Sequence, residues 1–290
     1  MPVGVIDVGS NTVRLLVLGG GRQLLTVREA LGLGAVVEQY GVIPFEKLAE
    51  TTDVVEQFAA LARQSGAESL EVLITSPGRQ ATNGADLLDA VAVAARAPAR
   101  ILSASEEGRL AFVGALAGTS GLTRRRVVVI DVGGGSAQVA IGTRASGPTW
   151  IRSLDIGSLR LSRRCLPDDP PGAESLAIAR AEVERLLESF DPPEPQAALA
   201  VGGTARTLRR LVGGRLGKEE LEGALELLAT TSQRQLIERH DLPPHRARTI
   251  AAGAVIFSAL QARLDTPLKV ARTGLREGAL AELAERRAAA

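Results

Sequence analysis

One phrase of the sequence occurs twice, and a duplication of that kind constrains the fold before any composition does. Val5-Ile6-Asp7-Val8-Gly9-Ser10-Asn11-Thr12 resembles Val129-Ile130-Asp131-Val132-Gly133-Gly134-Gly135-Ser136. With Asp7 aligned on Asp131, Leu15 and Val17 match Val139 and Ile141 beyond the glycines. Each copy reads as strand, tight polar turn, strand, with β-branched residues on both sides of the Gly, Ser or Asn. The copies stand 124 residues apart, a domain-sized interval too long for a solenoid. The 290-residue chain therefore reads as two related domains, each opening with a glycine-turned hairpin, with a boundary near residues 118–124.

Between and after the hairpins, helical and strand patterns alternate. Leu48, Val55, Phe58, Ala59 and Ala62 fall at helical spacing within 47–65. Residues 70–75 form a short apolar strand stopped by Ser76-Pro77-Gly78, and 84–97 an alanine-rich helix. A strand begins at 100–102, and Ser105 is the expected N-cap of a helix running through Leu116 with Glu106 and Glu107 in its first turn. In the second half, 175–190, 246–264 and 276–287 read as helices. Residues 197–201 read as a strand entering Gly202-Gly203-Thr204, with a helix over 205–211. The proline-rich 168–172 is a loop. Such alternation means a layered α/β fold.

Composition removes several classes of function. Thirty-four basic against 33 acidic residues leave a net charge of +1, which argues against a dedicated nucleic-acid binder. Aromatics at 2% are too few for a base-stacking platform. Cys165 is alone and forms no internal disulfide, and His240 and His245 are too few for a histidine-rich metal site. A reducing compartment, the cytoplasm, is the expected location. Asp7 interrupts the place of a signal peptide's apolar run. The longest apolar stretch, 250–260, contains Gly253 and Ser258 and is too short to span a bilayer, so no membrane partner is expected.

Three glycine-rich turns follow predicted strands: 7–11, 131–136 and 202–204. Glycines let a turn aim consecutive N–H groups at one point, which makes an anion nest. The candidate phosphate binders are Ser10 and Asn11, Gly133 to Ser136, and Gly202, Gly203 and Thr204. Asp7 and Asp131 at their strand ends have two readings: they face each other across a cleft and hold Mg²⁺, or each satisfies its own turn.

The two repeated phrases occur in order with Thr75-Ser76-Pro77-Gly78-Arg79-Gln80-Ala81-Thr82-Asn83, Glu106-Glu107-Gly108-Arg109, Gly202-Gly203-Thr204 and Leu275-Arg276-Glu277-Gly278. The ordered set, from Val5 to Leu280, resembles the exopolyphosphatase and guanosine pentaphosphate phosphohydrolase (Ppx/GppA) family, in its short two-domain form. The resemblance implies two actin/Hsp70/sugar-kinase-like (ribonuclease H-like) domains flanking a cleft, at 1–121 and 122–276, with the helix near 277–290 packing back on the first. It implies removal of terminal phosphate from inorganic polyphosphate or from pppGpp with Mg²⁺ or another divalent cation, Glu107 as the water-activating carboxylate, and Arg79 as a phosphate contact. A homodimer is implied as well. The alternative reading of Glu107 is an ordinary acid at a helix N-terminus.

One position departs from the family. Many relatives continue the second turn with glutamate where this chain has Gln138, which keeps an acceptor oxygen and loses the charge. A cation would then be held more weakly, or by Asp7 and Asp131 through water, and slow hydrolysis becomes credible. Two other functions remain open: a polyphosphate or (p)ppGpp sensor without turnover, and an ATPase or kinase of the same superfamily. The arginine clusters Arg124-Arg125-Arg126, Arg163-Arg164 and Arg206, Arg209, Arg210 are solvated faces or a path for a polyanion, with Arg206 and Arg209 the best placed. His240 and His245 are expected on the surface, and Cys165 in packing.

Overall fold

In the computed structural model, which describes residues 1–122 and 125–288, the two copies of the repeated phrase build the same sheet twice. The first lobe runs β1 (Val3–Val8), β2 (Val13–Gly19), β3 (Arg22–Glu29), α1 (Leu33–Tyr40), α2 (Phe45–Gln64), β4 (Ser69–Ile74), α3 (Ser76–Gln80), α4 (Gly84–Ala95), β5 (Ala99–Ile101) and α5 (Ala104–Ala117). The second runs β6 (Val127–Val132), β7 (Ala137–Thr143), β8 (Gly147–Leu154), α6 (Ser158–Cys165), α7 (Gly172–Leu186) and β9 (Ala197–Val201). It continues through α8 (Gly202–Val212), α9 (Lys218–Thr230), α10 (Gln233–His240), α11 (Pro244–Ala247), α12 (Ile250–Leu264), β10 (Leu268–Val270) and α13 (Leu275–Ala288).

The strand orders are β3-β2-β1-β4-β5 and β8-β7-β6-β9-β10. In each sheet the first three strands form an antiparallel meander and the last two join parallel to its first strand. These are the two related domains that the repeat implies, in the duplicated architecture that the family resemblance implies.

Period-two alternation sorts the side chains of each sheet between two cores. Ile6 and Val8 point outward under α2 and α4, whereas Val3 and Val5 point inward to a core shared by both lobes. Val128, Ile130 and Val132 likewise face the outer core of the second lobe, while Val127 and Val129 join the shared one. The shared core is filled by Leu110, Phe112 and Leu116 of α5 and by Leu275, Ala279 and Leu280 of α13. Helix α13 lies along α5 and against β1, and α5 lies across β7 and β8. The two helices pack closely because Gly114 and Gly278 leave no room for a Cβ: one at Gly278 would meet the carbonyl oxygen of Leu110.

Several local expectations are corrected. Helix α5 is capped by Ser103, not Ser105: Ser103 Oγ accepts from Glu106 N at 3.2 Å and Ser103 N donates to the Glu106 carboxylate at 2.8 Å, a reciprocal box two residues earlier. The single helix read over 246–264 is two, because the chain leaves helical geometry at Thr249 (φ −122°, ψ −3°) between α11 and α12. Arg79 lies in the short helix α3. Gly202-Gly203-Thr204 is no separate turn: β9 runs straight into α8, whose first residue, Gly202, has φ +86°. His240 ends α10 and His245 lies in α11. Cys165 closes α6 against the outer core of the second lobe. Of the first arginine cluster, Arg124 lies outside the described residues, as does part of the interval read as the domain boundary.

Candidate active site

The alternation that puts Val3 and Val5 into the shared core puts Asp7 on the same face at the end of β1, and Asp131 stands equivalently at the end of β6. Each turn beyond them closes identically, Gly9 N donating to Thr12 O at 3.1 Å and Gly133 N to Ser136 O at 3.0 Å. Each is gripped by the helix that follows its meander. Gly34 N of α1 donates to Ser10 O (2.7 Å), and Ser158 N of α6 to Gly133 O (2.9 Å). The turns meet face to face. A Cβ at Gly134 would lie 2.7 Å from Ser10 Cβ and 2.9 Å from Asn11 Nδ2, so only one of the two turns has room for side chains. Ser10 and Ser76 crowd the second turn: their hydroxyls are 2.7 Å apart, and a Cβ at Gly135 would be 2.8 Å from Ser76 Oγ.

Below this contact lies a cleft of about 110 Å³ whose walls include Asp7, Asp131, Glu107, the turn residues Ser10, Asn11, Gly133 and Gly134, and Gly202 and Gly203 at the start of α8. The sequence placed these in three separate turns and a distant helix; the fold brings them into one space. Glu107 reaches it from the first turn of α5, fixed by the Ser103 box, while Glu106 points the other way to Ser103 and Arg100.

Glu107 is 7% exposed and has two donors on one oxygen. Arg79 Nη2 donates to Oε2 at 2.7 Å and Gln138 Nε2 to the same atom at 3.3 Å. Among the described residues nothing donates to Oε1, so the second oxygen is free to accept from a molecule in the cleft. Arg79 is itself fixed by Leu102 O (2.7 Å), and Gln138 by Ser136 Oγ (2.8 Å). Burial pushes the Glu107 carboxyl up to about 7, against the opposing pull of Arg79, and Asp131 and Asp7 push the same way as burial. Burial also raises Asp131, to about 6, and Asp7.

Facing these acids are arginines from four elements. Arg14 stands directly across the β1–β2 ladder from Asp7. Arg206 lies on α8 and acts on Asp131. Arg246 of α11 donates to Thr204 Oγ1 at 3.2 Å, and its guanidinium occupies the space a Cβ at Gly203 would need. Arg276, at the start of α13, acts on Asp7. Burial, then the charges of Arg276 and Arg246, lower Arg14 to about 9; burial, then Arg206, lowers Arg246 to about 10. Cations that depress one another in a half-buried space are relieved by an anion with several charged oxygens.

The remaining candidates are dispersed. Arg79, Gly135, Ser136 and Thr204 stand behind the wall of the cleft; Arg79 steadies Glu107 there, and Thr204 Oγ1 donates to Val132 O at 2.9 Å. Arg209 is exposed one turn out from Arg206, and Arg210 pairs with Asp241. Arg125 and Arg126 are exposed, Arg126 donating to Glu194 O. Arg163 and Arg164 bind Gln39 and Glu38 of the opposite lobe. The sequence reading missed Arg14, Arg246 and Arg276. The hairpin register could have given Arg14, and Arg276 stood in a quoted motif; Arg246 carried no local signal. Among the described residues no three His, Cys, Asp or Glu side chains are grouped to hold a metal. No helix among them is long and apolar enough to cross a membrane.

A model of the Ppx/GppA phosphatase family matches residues 20–287. The chain is 32% identical over 300 residues to exopolyphosphatase 1 of Mycobacterium tuberculosis, with 96% of this chain and 87% of that one covered. It is 26% identical to the Aquifex aeolicus PPX-GPPA enzyme, at a TM-score of 0.80 over 97% of this chain and 98% of that one. An exopolyphosphatase from Cytophaga hutchinsonii, at 20% identity, has the same fold, with a TM-score of 0.89 over 99% and 98% of the two chains.

Proposed function

The chain belongs to the Ppx/GppA phosphatase family, and on that premise we propose that it is an exopolyphosphatase, releasing the terminal phosphate of inorganic polyphosphate by attack of a water that Glu107 activates. The observation that carries this reading is the placement of Glu107, with one oxygen unengaged, in the cleft where both glycine turns and the start of α8 meet. Substrate phosphoryl oxygens accept from backbone N–H groups of the turns and from α8, whose N-terminus favours negative charge. Arg14, Arg206, Arg246 and Arg276 neutralise the charge that spreads over the oxygens in the transition state. Glu107 Oε1 takes a proton from the water as its oxygen bonds to phosphorus. The phosphoanhydride bond breaks, and its electron pair leaves with the shortened chain. Arg79 and Gln138, both on Oε2, orient the base.

A divalent cation would be held by Asp7 and Asp131. Two half-buried carboxylates, with Asp7 raising the pKa of Asp131, suit a cation that keeps waters and phosphate oxygens in its shell, as Mg²⁺ does. When bound, it would supply further neutralisation of phosphate charge.

Phosphate release from polyphosphate, pppGpp and ATP, measured for the native protein and Glu107→Gln, tests the proposal. Turnover of polyphosphate that the variant lacks upholds it; equal release by the two proteins refutes it. A second reading, a polyphosphate sensor, is favoured by Gln138, whose uncharged amide stands next to the base and whose Oε1 has no partner. Tight calorimetric binding without release would select it.

A further inference from the structure

The two sheets carry equivalent rows of side chains across their meanders, and the rows differ in charge. In the first lobe the register aligns Asp7 of β1, Arg14 of β2 and Arg28 of β3. In the second it aligns Asp131, Gln138 and Ser153. Directly opposed residues share a face, so the first row leads from the cleft to the exposed edge strand β3 as two consecutive arginines. The other row ends in an amide and a hydroxyl.

Arg14 and Arg246, the latter on α11 of the second lobe, line the same cleft. The charge of Arg28 acts on both His245 and Arg246, and that of Arg14 on His245. His245 Nε2 is buried and has no hydrogen-bond partner. Among the described residues Arg14, Arg28 and Arg246 make no ion pair within 4.0 Å; the side-chain hydrogen bonds of Arg14 and Arg246 go to the hydroxyls of Thr12 and Thr204. Like charges directly opposed on neighbouring strands are unfavourable unless an anion joins them.

We infer that Arg14 and Arg28, walled by His245 and Arg246, form a track for the internal phosphates of a linear polyphosphate, which leaves the cleft along the edge of the first sheet. The inference rests on the proposed function for the identity of the terminal site. It deepens that reading by selecting a substrate whose charge repeats along its length. A nucleoside triphosphate such as ATP presents its phosphates to the cleft and an uncharged base and sugar to Arg28; a polyphosphate presents a charge to each arginine in turn.

The test compares long-chain polyphosphate, tripolyphosphate and ATP as substrates of the native protein, Arg28→Ala and Arg28→Glu. Arg234→Ala, which removes an exposed arginine on α10, is the control. Arg28 is exposed, so both variants are expected to fold, and thermal melting checks this. An exposed arginine–phosphate contact is worth about fivefold in affinity, more on charge reversal. Arg28→Ala is therefore expected to raise the KM of long chains about fivefold relative to that of tripolyphosphate, and Arg28→Glu further, with kcat little changed. The difference from the native protein shrinks as salt is raised. An equal shift for tripolyphosphate and long chains, a shift for ATP as large as that for long chains, or no shift at all overturns the track. Calorimetric binding of long chains to the same proteins separates the two proposals. Native protein that binds in an Arg28-dependent way but releases no phosphate keeps the track and ends the exopolyphosphatase reading. Release unaffected by Arg28 does the reverse.

Discussion

The two hairpins have the same backbone and do different work. Both hold an aspartate at a strand end and close a glycine turn with the same hydrogen bond. Lobe one then carries side chains, Ser10 and Asn11, where lobe two has Gly134 and Gly135. The reason is spatial, since a Cβ at Gly134 would strike Ser10. Across the ladder, Asp7 faces Arg14 and Asp131 faces Gln138. On the proposed function, the first lobe thus contributes charge to meet phosphate, and the second an amide to steady the base. A duplicated fold acquires an asymmetric site because its halves must fit each other, which identical surfaces at this contact would prevent.

The sharpest way to break this comparison removes the carboxylate that Gln138 of the second lobe meets. Glu107→Gln keeps the shape and the bond from Arg79 but removes the base, so kcat is expected to fall about a thousandfold in steady-state phosphate release. Making lobe one resemble lobe two with Arg14→Gln should raise KM for polyphosphate about thirtyfold with a smaller change in kcat, as expected for a buried charge partner. The reciprocal steric test is Gly134→Ala. Its methyl separates the facing turns and should lower kcat/KM about tenfold, whereas Gly9→Ala, whose Cβ would lie 3.3 Å from Thr12 O, should cost less.

The buried acids give a test that needs no substrate. Asp7, Glu107 and Asp131 are all harder to ionise folded than unfolded, so the native state holds more protons. The stability this confers is complete below about pH 4 and is lost as pH rises through about 7. Melting temperature should fall across that window, and Mg²⁺ should restore it more at pH 8 than at pH 5. Glu107→Gln should flatten the upper part of the decline. The smallest effect expected is at the helix that carries the base: Ser103→Ala removes half of the capping box and should destabilise by about 1 kcal/mol in denaturant unfolding.

Much of the frame was legible in sequence because it rests on local periodicity. The meanders' first hairpins were marked by glycine between β-branched runs, and helix α2 by Val55, Phe58, Ala59 and Ala62 on one face. Strands β3 and β8 gave no such signal, since both are sheet edges, β3 largely exposed and β8 largely half-buried. The N-cap of α5 was misplaced by two residues because Ser103 and Ser105 are both good caps. Only Ser103 has a glutamate three positions on whose carboxylate its own N–H reaches.

The sequence alone determined that there are two like sheets and that Asp7 and Asp131 end equivalent strands on the same face as Val5 and Val129, because a strand's period of two is a property of neighbouring residues. Only the tertiary structure decided which charges meet. It turned Arg79 onto Glu107, drew Arg14, Arg206, Arg246 and Arg276 around one cleft, and left Gln138 beside the base. Those encounters depend on how α5 and α13 pack the lobes together through residues more than a hundred positions apart, and no window of local sequence contains both partners of such a contact.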